Sequence, residues 1–204
     1  MPPALLAQPV EVRVEDARKL DDPLVIGQGT GGDDKIFPIH ADHDVIAFIQ
    51  EMVTGIGRNW SLKQEHPAAR TLILKVIRFY VDESNKALGS IYATEVKFAF
   101  TLKDARGNTL AEGIGTGTAH RYGHAHSPDN INEVLSDSLK EAYANVLADA
   151  GLQKAWISGT SSSSTAHSAE SAEERLRKLD DLLKKGLITK AEYDKKRADI
   201  LKDM

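Results

Sequence analysis

Between Ala93 and Lys103 the chain alternates without a break. Val96, Phe98, Phe100 and Leu102 fall on one parity, and Glu95, Lys97, Thr101 and Lys103 on the other. A period of two fits a half-buried strand and no helix. Asp104 to Asn108 then supplies turn residues, and a second extended run follows from Thr109 to about Tyr122. That run carries Ala111, Gly113, Gly115, Gly117 and Ala119 on one parity, a smooth face that lets a helix or a partner approach the backbone closely. The two runs predict a long antiparallel hairpin, which is not stable alone and requires further strands or helices over its apolar face.

The rest of the chain supplies them. Val10 to Glu15 alternates in the same way and predicts a strand, and Leu24 to Ile26 predicts a short strand that runs into glycines. From His43 to about Gly57, Val45, Ile49, Met52 and Ile56 share one helical face, with Asp42 or Asp44 as N-cap. Thr71 to Val81 is dense in β-formers and apolar on both parities, which predicts a central strand covered on both faces. Ser127 to Asn130 opens a long helix with the stripe Ile131, Leu135, Leu139, Ala142 and Val146, stopped at Gly151 and Leu152. The order strand, strand, helix, strand, strand, strand, helix predicts an α+β fold: a small, mainly antiparallel sheet with two helices packed on one face.

A chain of 204 residues accommodates one such domain and an appendage. Its formal charge of −4 argues against a broad nucleic-acid footprint. The absence of cysteine excludes disulfides, thiolate chemistry and cysteine-ligated zinc. No apolar run is long enough for a membrane-spanning helix. The start, Met1 to Gln8, lacks the charged opening and long apolar region of an export signal, which fits either a cytoplasmic protein or a mature form whose signal has been removed.

The appendage is the C-terminal segment. Residues 158–172 include a Ser/Thr run that cannot bury enough surface to order itself and read as a flexible tether after a domain spanning 1–157. In 173–204, Leu176, Leu179, Leu182 and Leu183 recur at helical spacing. Gly186 ends that helix, and Thr189 with Glu192 forms a capping box for a second one bearing Tyr193, Ile200 and Leu201. The sequence from Lys185 through Gly186, Leu187, Ile188 and Thr189 to Glu192 and Tyr193 resembles the SHOCT module, a short C-terminal helical hairpin. The resemblance implies oligomerisation or partner contact rather than chemistry. Two short helices bury too little on their own, so Leu176, Leu179, Leu183, Ile188, Tyr193, Ile200 and Leu201 are the expected interaction surface, toward a second copy or a protein partner.

A second resemblance covers roughly residues 8–155. Val10 to Glu15, ending in Asp16, Ala17 and Arg18 and followed by Ile26 and Gly27, is similar to the start of the YajG-like bacterial lipoproteins. It implies a fold like the N-terminal domain of TolB and a place in the bacterial cell envelope, on the periplasmic face. It also implies attachment to the membrane only through a lipid anchor, whose cysteine is not among these residues. Asp16 and Arg18 are expected to fix the strand end through an ion pair or a backbone bond.

Two patterns invite a chemical reading. Gly27, Gly29 and Gly32 match G-x-G-x-x-G, but Asp33 and Asp34 would repel phosphate and residues 35–38 start no helix, so this stretch reads as a hairpin or loop. His120, His124 and His126 share one parity, and a continuous strand would project all three to one side, with Asp129 able to add an oxygen and His40 with His43 as a second pair. They are the candidate site for a divalent metal. No nucleophile–base–acid set is visible, and the carboxylate pairs Asp33/Asp34 and Asp180/Asp181 sit where nothing would raise one pKa. The reading is a non-catalytic envelope lipoprotein acting as an adaptor, assembly or oligomerisation subunit, without a cofactor. The alternatives are a metal-binding domain built on the three histidines, or a cytoplasmic regulator.

Overall fold

The computed structural model describes residues 9–31, 35–65, 68–86 and 88–158. The tether and the C-terminal hairpin expected from the sequence therefore lie outside the described residues. In chain order the elements are β1 (Glu11–Asp16), β2 (Val25–Thr30), β3 (Ile36–His40), α1 (Val45–Asn59), β4 (Arg70–Lys86), β5 (Gly89–Asp104), β6 (Thr109–Gly123), α2 (Pro128–Ala148) and α3 (Ala150–Ser158). Over the described residues the fold is α+β, with a mostly antiparallel six-stranded sheet and three helices.

β4 is the central strand. β5 pairs with it antiparallel along its whole length, and β6 follows on β5. The other edge of β4 is shared end to end. β1 runs parallel to it from Glu11↔Thr71 to Asp16↔Val76, and β2 parallel to it from Gly27↔Val81 to Gly29↔Glu83. β3 closes that side as the antiparallel partner of β2. Gly27 and Gly29 therefore lie inside a strand of a β-hairpin and face no helix N-terminus. A Cβ on Gly27 would strike the Val81 carbonyl, and one on Gly29 the Phe37 ring. Glycine is required there because neighbouring groups lie flat on the backbone.

The expectation that β4 is covered on both faces is corrected by its bulge. Val76 pairs with Phe98 and Arg78 with Lys97, which leaves Ile77 as an extra residue. Up to the bulge the core-facing residues are Leu72, Leu74 and Val76; beyond it they are Phe79, Val81 and Glu83. One inserted residue exchanges the parities, so a strand with one buried face reads as apolar on both.

The helices cover the face formed by the even positions of β5 and the odd positions of β6. Asp44 caps α1, accepting from the Ile46 and Ala47 N–H groups at 2.8 and 2.9 Å. Val45, Ile49, Val53 and Ile56 are its buried stripe. Ser127 caps α2, with Pro128 in the first turn, and the expected stripe from Ile131 to Val146 is buried throughout. α2 crosses the glycine face of β6 as anticipated. A Cβ on Gly115 would meet Val146 and the Ala142 carbonyl, and one on Gly117 would meet the Ser138 carbonyl. Beside this crossing, the buried hydroxyls of Thr94 and Ser138 bond each other, tying β5 to α2.

A third helix was not expected. α2 ends at Ala148 because Asp149 leaves helical geometry, with ψ of 125°. Its carboxylate then accepts the Leu152 N–H at 2.8 Å and starts α3. Leu152, Ala155 and Trp156 of α3 are fully buried in the same core, so Gly151 lies in the first turn of a helix rather than at a stop.

Candidate functional site

The three histidines proposed as metal ligands stand at the end of β6, and the structure does not bring them together. His120 is opposite Ala93 on the face away from the helices. The strand ends at Gly123, so the alternation that would align His124 and His126 with His120 stops before it reaches them. His126 takes a left-handed φ of 53° and turns the chain toward α2. Among the described residues no three His, Asp or Glu side chains form a group able to hold a metal ion. His40, of the second pair, faces Asp22 at 3.3 Å.

What the turn does build is a buried polar network around Glu83, a residue the sequence reading did not single out. The Glu83 side chain is about 1% exposed. Its carboxylate accepts the His126 N–H at 2.7 Å and lies 3.2 Å from the Tyr92 hydroxyl. The His126 ring reaches it at 3.4 Å through Nδ1 and tilts against Phe37, with ring centres 5.2 Å apart. Burial by itself would push the Glu83 carboxyl up. The bond from the His126 N–H, the neighbouring Ser90 and Tyr92 hydroxyls and attraction from the His126 ring outweigh it and hold the group below the usual glutamate range.

Tyr92 extends the network. Its hydroxyl approaches the His124 carbonyl at 2.5 Å and accepts the Ser127 N–H at 3.0 Å. Burial raises its pKa, and the Ser127 N–H bond opposes that only in part. Glu83 on β4 and Tyr92 on β5 thus grip residues 124–127, the connection that sets the start of α2. An ionised carboxylate occupied by donors in this way fixes a loop; it is not a base poised to take a proton at neutral pH.

The Asp16–Arg18 pair behaves as the sequence suggested. Asp16 accepts from Arg18 Nε at 3.0 Å, from Nη2 at 2.8 Å and from the Arg18 N–H at 3.0 Å. Nη2 also donates to the Pro23 carbonyl at 2.9 Å. The side-chain bond from Arg18 is the main reason the Asp16 carboxyl lies below its usual range. The pair clasps the 17–24 connection to the end of β1. The interaction residues expected in the C-terminal hairpin, Leu176 to Leu201, lie outside the described residues.

Comparison with known proteins places this architecture. Residues 3–156 match the family described as "Uncharacterized lipoprotein", and residues 174–201 match SHOCT, the "Short C-terminal domain". The chain belongs to this lipoprotein family, and the YajG-like domain followed by SHOCT stands in the order read from the sequence. Among curated proteins none matches the chain. Solved structures similar to it include a DUF330 protein of Xanthomonas campestris, 14% identical over 72% of this chain and 87% of that one, with a TM-score of 0.49. A minor lipoprotein of Acinetobacter baumannii is 10% identical over 74% of this chain and 97% of its own, with a TM-score of 0.41. A lipoprotein of Neisseria meningitidis is 10% identical over 69% and 98%, with a TM-score of 0.34.

Proposed function

We propose that this is a non-catalytic subunit of the bacterial envelope, lipid-anchored on the periplasmic face in its native form, which assembles with copies of itself through the hairpin at 173–204. The observation that supports a non-catalytic role is the disposition of Glu83. The most deeply buried carboxylate described is spent on holding residues 124–127, between donors that keep it ionised. The lipoprotein family supports the envelope location, and the SHOCT match at 174–201, with the apolar spacing read there from the sequence, supports assembly. The family also supports attachment through a lipid; no described helix is long and apolar enough to cross a membrane.

The experiment is multi-angle light scattering of the full chain, of a chain ending at Ser158, and of the full chain carrying Leu179→Asp and Leu183→Asp. The full chain is expected to exceed its own monomer mass by a factor that rises with concentration, while the shortened chain and the double variant stay at theirs. Each of the three at its own monomer mass would overturn self-association through the hairpin.

A further inference from the structure

We propose that the cavity between residues 17–20 and the bulge of β4 is a binding site for a small carboxylate carrying an apolar body, with Arg18 as its anchor. The cavity measures about 290 Å³ and is lined by Ala17, Arg18, Lys19 and Leu20 on one side and by Ile77, Arg78, Phe79 and Tyr80 on the other. It exists because the edge of β4 is shared by two strands that do not meet. The β1 ladder ends at Val76 and the β2 ladder begins at Val81, so residues 77–80 pair with neither.

Arg18 supplies the reason for an anion. A guanidinium has five N–H donors. Nε gives its hydrogen to Asp16, and Nη2 gives its two to Asp16 and the Pro23 carbonyl. The two donors left are both on Nη1, which is buried and has no hydrogen-bond partner among the described residues. The whole side chain is about 3% exposed. A charged donor sealed from water and lacking an acceptor is rare in native structures, and the cavity beside it is where an acceptor can enter.

The ligand class follows from the walls. Asp16 is already engaged with Arg18, and Glu95 holds Arg78 at 2.8 Å, so neither carboxylate supplies the missing acceptor. Lys19 adds a cation at the rim. Leu20 and Ile77 are about 40% exposed at the mouth, Phe79 is buried behind, and Tyr80 carries the Arg78 guanidinium over its ring at 4.5 Å. One buried donor nitrogen, one rim cation and apolar walls suit a monoanion with a short hydrocarbon body. The volume is at the lower end for ligand pockets, which limits the body to about the size of one or two amino-acid residues. Leu20, at the mouth, lies in the connection after β1, outside any strand or helix.

The test is titration of the ¹⁵N-labelled full chain with hexanoate and, separately, with hexanamide, followed by backbone amide and Arg18 Nε–H shifts. Hexanoate is expected to give saturable shifts confined to residues 17–20 and 77–80, with the uncharged amide about tenfold weaker or more. Ile77→Asp sets a carboxylate in the wall and is expected to abolish the shifts while the amide spectrum away from residues 17–20 and 77–80 stays that of the folded wild type. It decides the matter, because Arg18→Gln also removes the clasp and can loosen the loop. Acetyl-Leu-Leu with a free C-terminus separates the sources: tighter binding than hexanoate identifies a peptide terminus, and weaker binding a free aliphatic acid. No saturable shift with hexanoate, equal shifts with hexanamide, or unchanged binding in Ile77→Asp would each overturn the site.

Discussion

Asn145 donates its side-chain amide to the Thr116 carbonyl across 2.7 Å, and one turn earlier on α2 Glu141 accepts the Thr118 N–H at the same distance. β6 is an edge strand, so these backbone groups face outward and would otherwise template pairing with another chain. The same device recurs at β1, where Gln50 of α1 accepts the Val14 N–H at 2.8 Å and donates to the Val12 carbonyl at 3.1 Å. In both cases a helix side chain replaces a missing strand. On β6 this is possible because the glycine face lets α2 lie low enough to reach round the edge.

Replacing Glu141 and Asn145 together by Ala is therefore expected to open the β6 edge. Both side chains are partly solvated, so the loss of stability should be modest, about 0.5–1.5 kcal/mol for each bond. Hydrogen exchange is the sharper measurement. The Thr118 amide should exchange faster in the double variant, with the inward-facing amides of β6 unchanged. Unaltered Thr118 protection would mean that something other than Glu141 covers it.

The glycine face itself is tested at Gly115. A valine there would drive its side chain into Val146 and the Ala142 backbone, and overpacking of this kind costs about 1–3 kcal/mol. Gly107 is a control with a different cause. It has open space around its Cα but a φ of 85°, so Gly107→Val suffers through backbone conformation alone. Asn tolerates that conformation better than Val, so Gly107→Asn should recover most of the melting temperature whereas Gly115→Asn should not. A wild-type melting temperature for Gly115→Val would mean α2 does not rest on β6.

The hairpin of β5 and β6, the stripe of α2 and the Asp16–Arg18 clasp were legible because each depends on near neighbours in sequence: alternation, helical spacing, a turn. The parity exchange at Ile77 was not, because a bulge is defined by the partner strand and leaves no local mark. Glu83 was missed for the same reason. Counted from Leu72 it falls on the outward parity, and only the extra residue carries it to the core beside Phe79 and Val81. The histidines misled in the opposite way. Their common parity presumes a strand that continues past Gly123, and the chain leaves the sheet there because Glu83 and Tyr92 bind its backbone instead.

Tyr143 gives a prediction of opposite sign. Its ring is stacked on Trp60, with centres 5.8 Å apart and planes within 17°. Its hydroxyl is buried with no partner among the described residues, and burial pushes its pKa well above the ordinary tyrosine value. A buried hydroxyl without a partner costs about 1–3 kcal/mol. Tyr143→Phe keeps the stack and removes the cost, so it should raise the urea midpoint at unchanged slope. A lower midpoint would show that the hydroxyl has a bonding partner, such as an enclosed water.

Glu83 carries the last prediction, on acid stability. Its folded pKa lies below the ordinary value of 4.5, so near that value and below it the unfolded chain binds more protons than the folded one. The stabilisation from its charge is then complete above the ordinary value and is lost as pH falls through the folded one. Glu83→Gln has nearly the same shape but no charge, and it cannot accept the His126 N–H and the neighbouring hydroxyls as strongly. At neutral pH it should be less stable by about 1.5–3 kcal/mol, the range for hydrogen bonds to a charged group. That difference should shrink as the pH falls below the ordinary glutamate value and then through the lower folded one, because the wild type then loses the charge as well. Urea midpoints of both proteins across this range provide the measurement. A difference that stays constant, or grows toward acid, would mean that the carboxylate is not ionised in the folded protein and that residues 124–127 are held by other bonds.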